Sequence, residues 1–325
     1  MRSRPKRIAI EARSFAKVNL GLAVGARRAD GFHELLTLYQ SIGLADTMRI
    51  ERKRSPGISL LCDDPAVPTD DRNLVVRAYR ALHRVAGRLP GLQVSIEKRI
   101  PVGGGLGGGS SNAGTFLRAV DRWLGLDVPL GKLALAAAEL GSDVPFFLVG
   151  GLALGLGRGE VVVPLADLPR RWVALVMPAQ GLPTASVYAR LAELRAASPS
   201  LTPTRTGGKI HAFLLEGLGD PSELGNDLAP AARGLMVGYD DVLGRLREAG
   251  AELALLSGSG STFFGLFQEY GEAQGVREAT KTTTTKVTHT VGRREYLRGV
   301  LPELTDRALR STKARLRNGD GNHKR

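Results

Sequence analysis

The sequence has little cysteine and no long apolar run, and each absence excludes a class of protein. Cys62 is the single cysteine, so an internal disulfide is excluded and a reducing compartment is expected. The longest apolar run, residues 144–157, contains four glycines and is too short to span a bilayer. Glu11 and Arg13 interrupt the apolar core that a signal peptide would need. We therefore expect a cytoplasmic protein with no membrane partner.

The sequence also lacks a metal-binding pattern. Its histidines show no metal-ligand spacing with one another or with Cys62; those considered are His83, His211, His289 and His323. We therefore expect no metal ion that is held by protein side chains alone.

Acidic residues are outnumbered by basic ones, and the formal net charge of +13 raises the question of a nucleic-acid partner. Much of the excess lies near one end, because residues 276–325 hold 13 Lys and Arg against 5 Asp and Glu. The preceding residues contain no motif that combines aromatic and basic side chains as RNA-binding domains do. Nucleic acid is not the expected partner, although a basic tail that binds it stays open as an alternative.

Glycine is concentrated in one segment, Pro101-Val-Gly-Gly-Gly-Leu-Gly-Gly-Gly-Ser-Ser111, where six of eleven residues lack a β-carbon. Such a backbone can bend tightly and direct several amide N–H groups at one ligand. The preceding residues 92–100 alternate in polarity like a half-buried strand, and the residues that follow show helical periodicity through Leu124. A glycine loop that leads into a helix N-terminus favours phosphate, so the segment predicts a phosphate-binding loop.

Two common phosphate-loop patterns do not fit this segment. The P-loop pattern fails because no lysine precedes Ser110. The dinucleotide pattern is satisfied by Gly103, Gly105 and Gly108, with Asp127 about 20 residues further on, but any run this rich in glycine satisfies it by chance. The preceding strand also alternates in polarity, whereas the first strand of a dinucleotide-binding fold is a continuous apolar run.

A third pattern fits at three places. Pro101–Ser111 resembles the phosphate loop of the GHMP kinases. Ala16-Lys-Val-Asn-Leu-Gly-Leu-Ala23 resembles the first motif of that family, and Leu256-Ser-Gly-Ser-Gly-Ser-Thr-Phe-Phe264 resembles the third. The three motifs stand in the family's order and span most of the chain. On this basis the chain is identified as similar to the GHMP kinases.

Further segments resemble the branch of this family that acts on a methylerythritol linked to cytidine diphosphate. They are Arg28–Leu35, Asp71–Ala78, Leu140–Phe147 and the shorter Pro183–Tyr188. The resemblance implies ATP-dependent phosphorylation of the 2-hydroxyl of that small molecule, in the non-mevalonate pathway to isoprenoid precursors. A GHMP kinase for another alcohol, such as mevalonate, homoserine or a sugar, is the nearest alternative.

The resemblance implies an α+β fold with two domains. Residues 1–166 would form an ATP-binding domain like the second domain of ribosomal protein S5. Residues 167–291 would form a ferredoxin-like domain, and the threonine-rich stretch 280–291 could supply its last strand. Residues 292–325 are basic and polar, so we expect a flexible tail. A monomer or weak homodimer is expected.

The resemblance also implies that the glycine loop binds ATP, which would bring Mg²⁺ with it. The residues implied in this contact are Pro101, Val102, Gly103, Gly104, Gly105, Leu106, Gly107, Gly108, Gly109, Ser110 and Ser111, with Asn73 near the adenine.

Two residues match the catalytic positions of the family. Asp143 would take the proton of the acceptor hydroxyl, and Lys17 would stabilise the carboxylate and the developing alkoxide. Without the resemblance, the local pattern predicts that Asp143 is a helix N-cap and that Lys17 is a solvated side chain on a strand.

The remaining matches concern the substrate. Phe32 and Tyr188 fall where the family stacks the cytosine ring, and His33 falls on the residue that reads the edge of the base. Asn19 and Thr184 are implied as further substrate contacts. From the sequence alone, Phe32 could be a core residue and His33 an ordinary turn residue. The family more often has tyrosine at Phe32, so any contact of that phenol is lost here.

Overall fold

The computed structural model describes residues 9–179, 181–197, 204–279 and 284–301. Within these ranges the chain forms two sheets, and helices cover one face of each. No helix in the described ranges is both long and apolar enough to cross a membrane.

The first sheet is built around one long strand. In chain order its strands are β1 Ala9–Arg27, β2 His33–Lys53, β3 Ile58–Cys62, β4 Gly91–Glu97, β5 Leu152–Leu156 and β6 Val161–Pro164. β2 pairs antiparallel with β1 on one side, and with β4 and β5 on the other. β3 pairs parallel with β4, and β6 pairs antiparallel with β5.

Strand β1 is longer than the sequence indicates. The sequence predicts two short strands here, residues 8–15 and 18–24, with a break at residues 16 and 17. The structure has one continuous strand, with irregular register after Phe15 and after Asn19. Lys17 and Asn19 are both buried, so they are polar residues inside the protein and do not mark a break in the strand.

Three helices cover one face of the first sheet. They are α1 Leu74–Ala86, α2 Gly108–Leu124 and α3 Leu130–Leu140, and a 3-10 helix follows at Val144–Leu148. Val94 and Ile96 of β4 share one buried cluster with Phe116 and Val120 of α2. This packing fixes the start of α2, where the glycine loop ends, against the sheet.

The second sheet lies later in the chain. Its strands are β7 Trp172–Met177, β8 Leu253–Leu256, β9 Phe263–Phe267 and β10 Thr284–His289. The helices of this half are α4 Thr184–Ala197, α5 Thr204–Leu215, α6 Ala229–Arg233, α7 Tyr239–Glu248 and α8 Tyr270–Ala279, with a 3-10 turn at Pro221–Glu223.

The second sheet is antiparallel throughout, with the strand order β10-β7-β9-β8. With the helices between β7 and β8 counted as one helical segment, the chain order is β-α-β-β-α-β, the ferredoxin-like arrangement. The prediction of an α+β fold with a ferredoxin-like second half is confirmed.

The two sheets share a buried core. Val18 and Leu20 of β1 lie in one apolar cluster with Leu175 of β7 and Phe264 of β9. β1 therefore lies between the two halves of the protein, and the polar side chains it carries lie at their junction.

The prediction that a flexible tail begins at residue 292 is wrong. Residues Arg293–Val300 form a helix, α9, that packs against β1. Tyr296 is fully buried, contacts Phe15 with ring centroids 5.4 Å apart and donates a hydrogen bond to the carbonyl of Phe147 at 2.6 Å. Val300, one turn later, is buried on the same face. This narrow apolar face is hard to recognise among the surrounding arginines. Residues 302–325 of the predicted tail lie outside the described residues.

Candidate active site

A cavity of about 1170 Å³ opens between the two halves of the protein. Its walls come from β1, β2, the glycine loop, the residues before the 3-10 helix, α4 and the turn between β8 and β9. Among the residues predicted from the sequence, those that line it are Lys17, Asn19, Phe32, His33, Asn73, Pro101–Ser110, Asp143, Thr184 and Tyr188. Segments that are distant in sequence thus meet at one cavity.

The glycine loop reaches this cavity through backbone conformations that favour glycine. Gly103, Gly105 and Gly107 have φ of +74°, +74° and +71°. A β-carbon on Gly105 would lie 2.3 Å from the carbonyl oxygen of Ser257. Gly107 is the N-cap of α2, so the helix begins at the cavity wall with its first amide groups directed outward. The loop presents backbone donors and a helix dipole, which favour phosphate.

A buried carboxylate holds the loop in place. Asp46 is fully buried and accepts hydrogen bonds from the backbone N–H of Arg99 at 2.7 Å and of Ile100 at 2.8 Å. It also accepts from the side chain of Asn112 on α2 at 3.0 Å and pairs with the Lys98 ammonium at 2.5 Å. One side chain therefore fixes both ends of the glycine loop. The sequence gives no local signal for this, because Asp46 lies in a strand more than 50 residues away.

The second half of the protein also forms hydrogen bonds with the glycine loop. Ser257 donates a hydrogen bond from its hydroxyl to the carbonyl of Gly105 at 3.0 Å, and the N–H of Thr262 donates to Gly104 at 3.2 Å. Both residues belong to the third glycine-rich motif, which thus contacts the phosphate loop directly.

Replacing Gly105 by alanine is expected to raise the KM for ATP at least about tenfold. A β-carbon there is strained by the positive φ and meets the backbone of Ser257, so the loop must move. Steady-state kinetics with varied ATP measures the effect. Gly57→Ala is the matched control, because Gly57 also has a positive φ, +80°, but has no atom within 4 Å of its added carbon. Equal ATP KM values in the two variants would contradict this role of the loop.

Lys17 and Asp143 lie next to each other in the lining of the cavity. The Lys17 Nζ lies 3.5 Å from the Asp143 Oδ2. The lysine side chain is 4% exposed and the aspartate side chain 33% exposed, so the carboxylate is reachable from the cavity. The backbone N–H of Lys17 donates to the carbonyl of Leu106 at 3.0 Å, which fixes this strand against the glycine loop.

The Lys17 ammonium is held by its neighbours on the same face of β1. It donates to the Asn19 Oδ1 at 2.6 Å, and the Asn19 amide donates to the Thr37 hydroxyl at 2.8 Å. Both polar groups of Asn19 are therefore engaged within the protein. Although Asn19 lines the cavity, its clearest contact orients Lys17.

Asp143 stands at the N-cap position of the 3-10 helix, but its side chain makes no cap hydrogen bond. The capping interpretation of this residue is therefore wrong. The Asp143 Oδ1 instead accepts a hydrogen bond from the phenol of Tyr39 at 3.0 Å. No motif in the sequence points to Tyr39, which lies 104 residues from Asp143 along the chain.

Aromatic side chains also line the cavity. The rings of His33 and Tyr188 lie with centroids 5.4 Å apart, and burial followed by the charge of Asp143 raises the pKa of Tyr188 to about 12. Phe32 is half exposed, and the guanidinium of Arg158 lies 4.8 Å from the centre of its ring. The three predicted aromatic residues thus line one cavity, with His33 as the ring next to Tyr188.

Three further predicted residues have polar contacts within the protein. The Ser111 hydroxyl is fully buried and donates to the carbonyl of Phe15 at 2.6 Å, and Ser111 is not among the residues that line the cavity. The side chain of Asn73 caps α1 by accepting from the N–H of Val75, which leaves it at the wall of the cavity with its amide engaged. Thr184 lies at the cavity with its hydroxyl 2.8 Å from that of Ser259.

No group of three or more His, Cys, Asp or Glu side chains is placed to hold a metal ion in the part of the chain that the structure describes.

Comparison with known proteins identifies the family of the fold. Residues 73–151 match the GHMP kinases N terminal domain, and residues 210–283 match the GHMP kinases C terminal domain. A crystal structure of homoserine kinase from Cytophaga hutchinsonii is similar to this chain with a TM-score of 0.71 at 22% identity, over 91% of this chain and 98% of that one. This similarity indicates a shared fold. The chain has the fold of the GHMP kinases, which are ATP-dependent phosphotransferases.

Closer relatives define the family within this class. The chain is 39% identical to 4-diphosphocytidyl-2-C-methyl-D-erythritol kinase of Solibacter usitatus, over 87% of this chain and 89% of that protein. It is 44% identical to the enzyme of the same name from Nocardioides sp., over 77% and 86%. A crystal structure of 4-(cytidine 5'-diphospho)-2C-methyl-D-erythritol kinase has a TM-score of 0.69 at 36% identity, over 87% of this chain and 100% of that one. The chain belongs to the GHMP kinases and, within them, to the 4-diphosphocytidyl-2-C-methyl-D-erythritol kinase family.

Proposed function

We propose that this kinase transfers the γ-phosphoryl group of ATP to the 2-hydroxyl of 4-diphosphocytidyl-2-C-methyl-D-erythritol, with Lys17 and Asp143 as the catalytic pair. The observation that carries the proposal is the position of these two side chains. They lie 3.5 Å apart in a cavity that the glycine loop and the rings of Phe32, His33 and Tyr188 also line.

In this proposal Asp143 is the general base. The acceptor oxygen attacks the γ-phosphorus and passes its proton to the Asp143 carboxylate. The bond from the γ-phosphorus to the bridging oxygen breaks, and ADP leaves. The carboxylate is reachable from the cavity and free of any capping bond, which supports this role.

Lys17 supplies positive charge at the reacting centre. Its buried ammonium lies beside the carboxylate, where it stabilises the ionised form of Asp143 and the developing negative charge of the acceptor oxygen. Asn19 fixes its position through a hydrogen bond of 2.6 Å. Because the site is partly closed to water, this electrostatic stabilisation is stronger than it would be in bulk solvent.

The glycine loop would hold the triphosphate with its backbone amides. Mg²⁺ would enter with ATP, and Ser110 is the residue we assign to it, because its hydroxyl lies in the segment that lines the cavity at the start of α2. A hydroxyl oxygen suits this hard cation. When bound, Mg²⁺ neutralises charge on the β- and γ-phosphates.

The aromatic side chains that line the cavity would bind the cytosine ring. Stacking on Tyr188 or Phe32 requires a flat ligand, and an aromatic pair contributes about 0.5–1.5 kcal/mol beyond the burial of area. A small aliphatic alcohol such as homoserine has no flat ring to stack on these side chains. This argument favours a nucleotide-linked substrate over the alternative alcohols.

The direct test is phosphorylation of 4-diphosphocytidyl-2-C-methyl-D-erythritol by the purified protein with ATP and Mg²⁺. We expect ADP release together with a product that carries one added phosphate at the 2-position. The product is identified by ³¹P NMR and mass spectrometry. Homoserine and mevalonate serve as comparison substrates, and CMP should compete with the cytidine-linked one. Faster turnover of homoserine or mevalonate, without inhibition by CMP, would overturn the proposal.

Replacing Tyr188 by alanine is expected to raise the KM for the cytidine-linked substrate about tenfold with a smaller change in kcat, because in this proposal the ring binds the base and takes no part in the proton transfer. Tyr270→Ala is the control, since Tyr270 is an exposed ring that packs on Trp172 in the second sheet. A Tyr188→Ala variant with unchanged KM and unchanged inhibition by CMP would exclude a role in stacking.

A further inference from the structure

Tyr39 lies beside both members of the proposed catalytic pair. Its hydroxyl donates to the Asp143 Oδ1 at 3.0 Å, and the Lys17 Nζ lies 5.8 Å from the centre of its ring. Tyr39 is fully buried on β2, opposite Asn19 in the strand pairing. The contact with Asp143 leaves the Oδ2 of that carboxylate, which is the atom nearest Lys17, directed at the ammonium.

The surroundings of Tyr39 are shaped to hold this ring. A β-carbon on Gly159 would lie 2.4 Å from the Tyr39 hydroxyl, and one on Gly155 would lie 2.5 Å from the ring. The ring of Phe146, three residues after Asp143, lies with its centroid 4.9 Å from that of Tyr39. Two glycines of the β5–β6 hairpin thus make room for the phenol, and Phe146 fixes its plane.

The phenol remains a hydrogen-bond donor under ordinary conditions. Burial raises the pKa of Tyr39 well above its usual range, and the charge of Asp143 raises it further. The hydroxyl therefore stays protonated, and its proton is directed at the carboxylate. Since Asp143 receives no capping bond from its own helix, the Tyr39 hydroxyl and Lys17 are the two groups shown to orient it.

We infer that Tyr39 is a positioning residue for the proposed base: its hydroxyl fixes one carboxylate oxygen of Asp143 so that the other faces Lys17 and the acceptor hydroxyl. This inference rests on the proposed function, in which Asp143 accepts the proton. It assigns to β2 a part in catalysis that the motifs of the sequence do not indicate.

The test begins with Tyr39→Phe, which keeps the ring and removes only the hydroxyl. We expect kcat to fall about 10- to 100-fold, as for loss of a hydrogen bond to a charged group, while both KM values change less than about threefold. Tyr79→Phe is the matched control, because Tyr79 donates a partly buried phenol bond at 3.1 Å to the carbonyl of Pro90, outside the cavity. Melting temperatures of both variants check that each is folded.

A double-mutant cycle separates positioning from a merely structural role. If the Tyr39 hydroxyl acts through Asp143, adding Tyr39→Phe to Asp143→Asn should lower the residual kcat by less than about twofold. Equal losses of kcat with and without the aspartate, or a Tyr39→Phe variant as active as the Tyr79→Phe control, would overturn the inference.

A second readout does not depend on the substrate. In a crystal structure of the Tyr39→Phe variant, we expect the Asp143 carboxylate to rotate away from Lys17, and an unchanged carboxylate would contradict the inference. If the wild-type protein phosphorylates a different alcohol, the proposed function fails, but the cycle measured with that alcohol still tests Tyr39. If it phosphorylates none of the alcohols tried, the crystal structure decides.

Discussion

Asp143→Asn is expected to lower kcat by about 10³-fold, with KM for ATP and for the acceptor changed by less than about threefold. Asparagine has nearly the same shape, so it can still accept the Tyr39 hydrogen bond, but it cannot take the proton of the attacking hydroxyl. Rate measurements at saturating concentrations of both substrates give kcat directly. Binding that persists while turnover is lost is the signature of a group that acts in the transition state.

The control for this variant is Asp240→Asn, which removes an exposed carboxylate that pairs with Arg233 on the surface of the second half. Its kcat should equal that of the wild type, because surface ion pairs contribute little. An Asp143→Asn variant with more than about a tenth of the wild-type kcat would remove this residue from the role of general base.

Lys17→Met is expected to lower kcat by about 10²- to 10³-fold. Methionine retains most of the length of the lysine stem, so the packing at this buried position is largely kept, but the positive charge beside Asp143 is lost. Lys17→Arg should not restore full activity. The planar guanidinium cannot reproduce the contact at 2.6 Å with the Asn19 Oδ1 and the approach to Asp143 from the same buried position.

Lys209→Met is the control for loss of a lysine charge, since Lys209 pairs with Glu223 on the surface. If Lys17→Met and Lys209→Met had the same kcat, the ammonium of Lys17 would have no part in the chemistry. A loss confined to KM in the Lys17 variant would indicate a binding role instead.

Local patterns were sufficient to predict much of the fold. The apolar run at residues 172–177 predicts a short buried strand, and the structure has a strand with these bounds, Trp172–Met177. The sequence predicts a helix from Ser110 to Leu124, and α2 begins two residues earlier, because glycines at its first turn carry no helical signal of their own. Thr284–His289 is the last strand of the second sheet, within the stretch in which the sequence suggested one.

Buried polar residues were where prediction from sequence was incomplete. The sequence predicts separate strands at residues 8–15 and 18–24, yet in the structure Lys17 and Asn19 are buried polar residues of one continuous strand. The family motifs located Lys17 and Asp143, but they gave no indication of Tyr39 or Asp46. Both of these act through partners more than 50 residues away, a relation that only the folded chain brings about.

Three predictions from the sequence are untested and remain predictions. They are the cytoplasmic location, a monomer or weak homodimer, and the limit between the two domains at residue 166. Within the basic segment, residues 293–300 form α9, which packs on β1 through the side that carries Tyr296 and Val300.

The central claim is that the glycine loop presents the terminal phosphorus of ATP to a hydroxyl held by Asp143 and Lys17. The most direct test is a crystal structure with a non-hydrolysable ATP analogue, Mg²⁺ and 4-diphosphocytidyl-2-C-methyl-D-erythritol. We expect the 2-hydroxyl within about 3.2 Å of an Asp143 carboxylate oxygen and in line with the γ-phosphorus. A 2-hydroxyl that lies beyond reach of Asp143, or a triphosphate bound away from the glycine loop, would contradict the account.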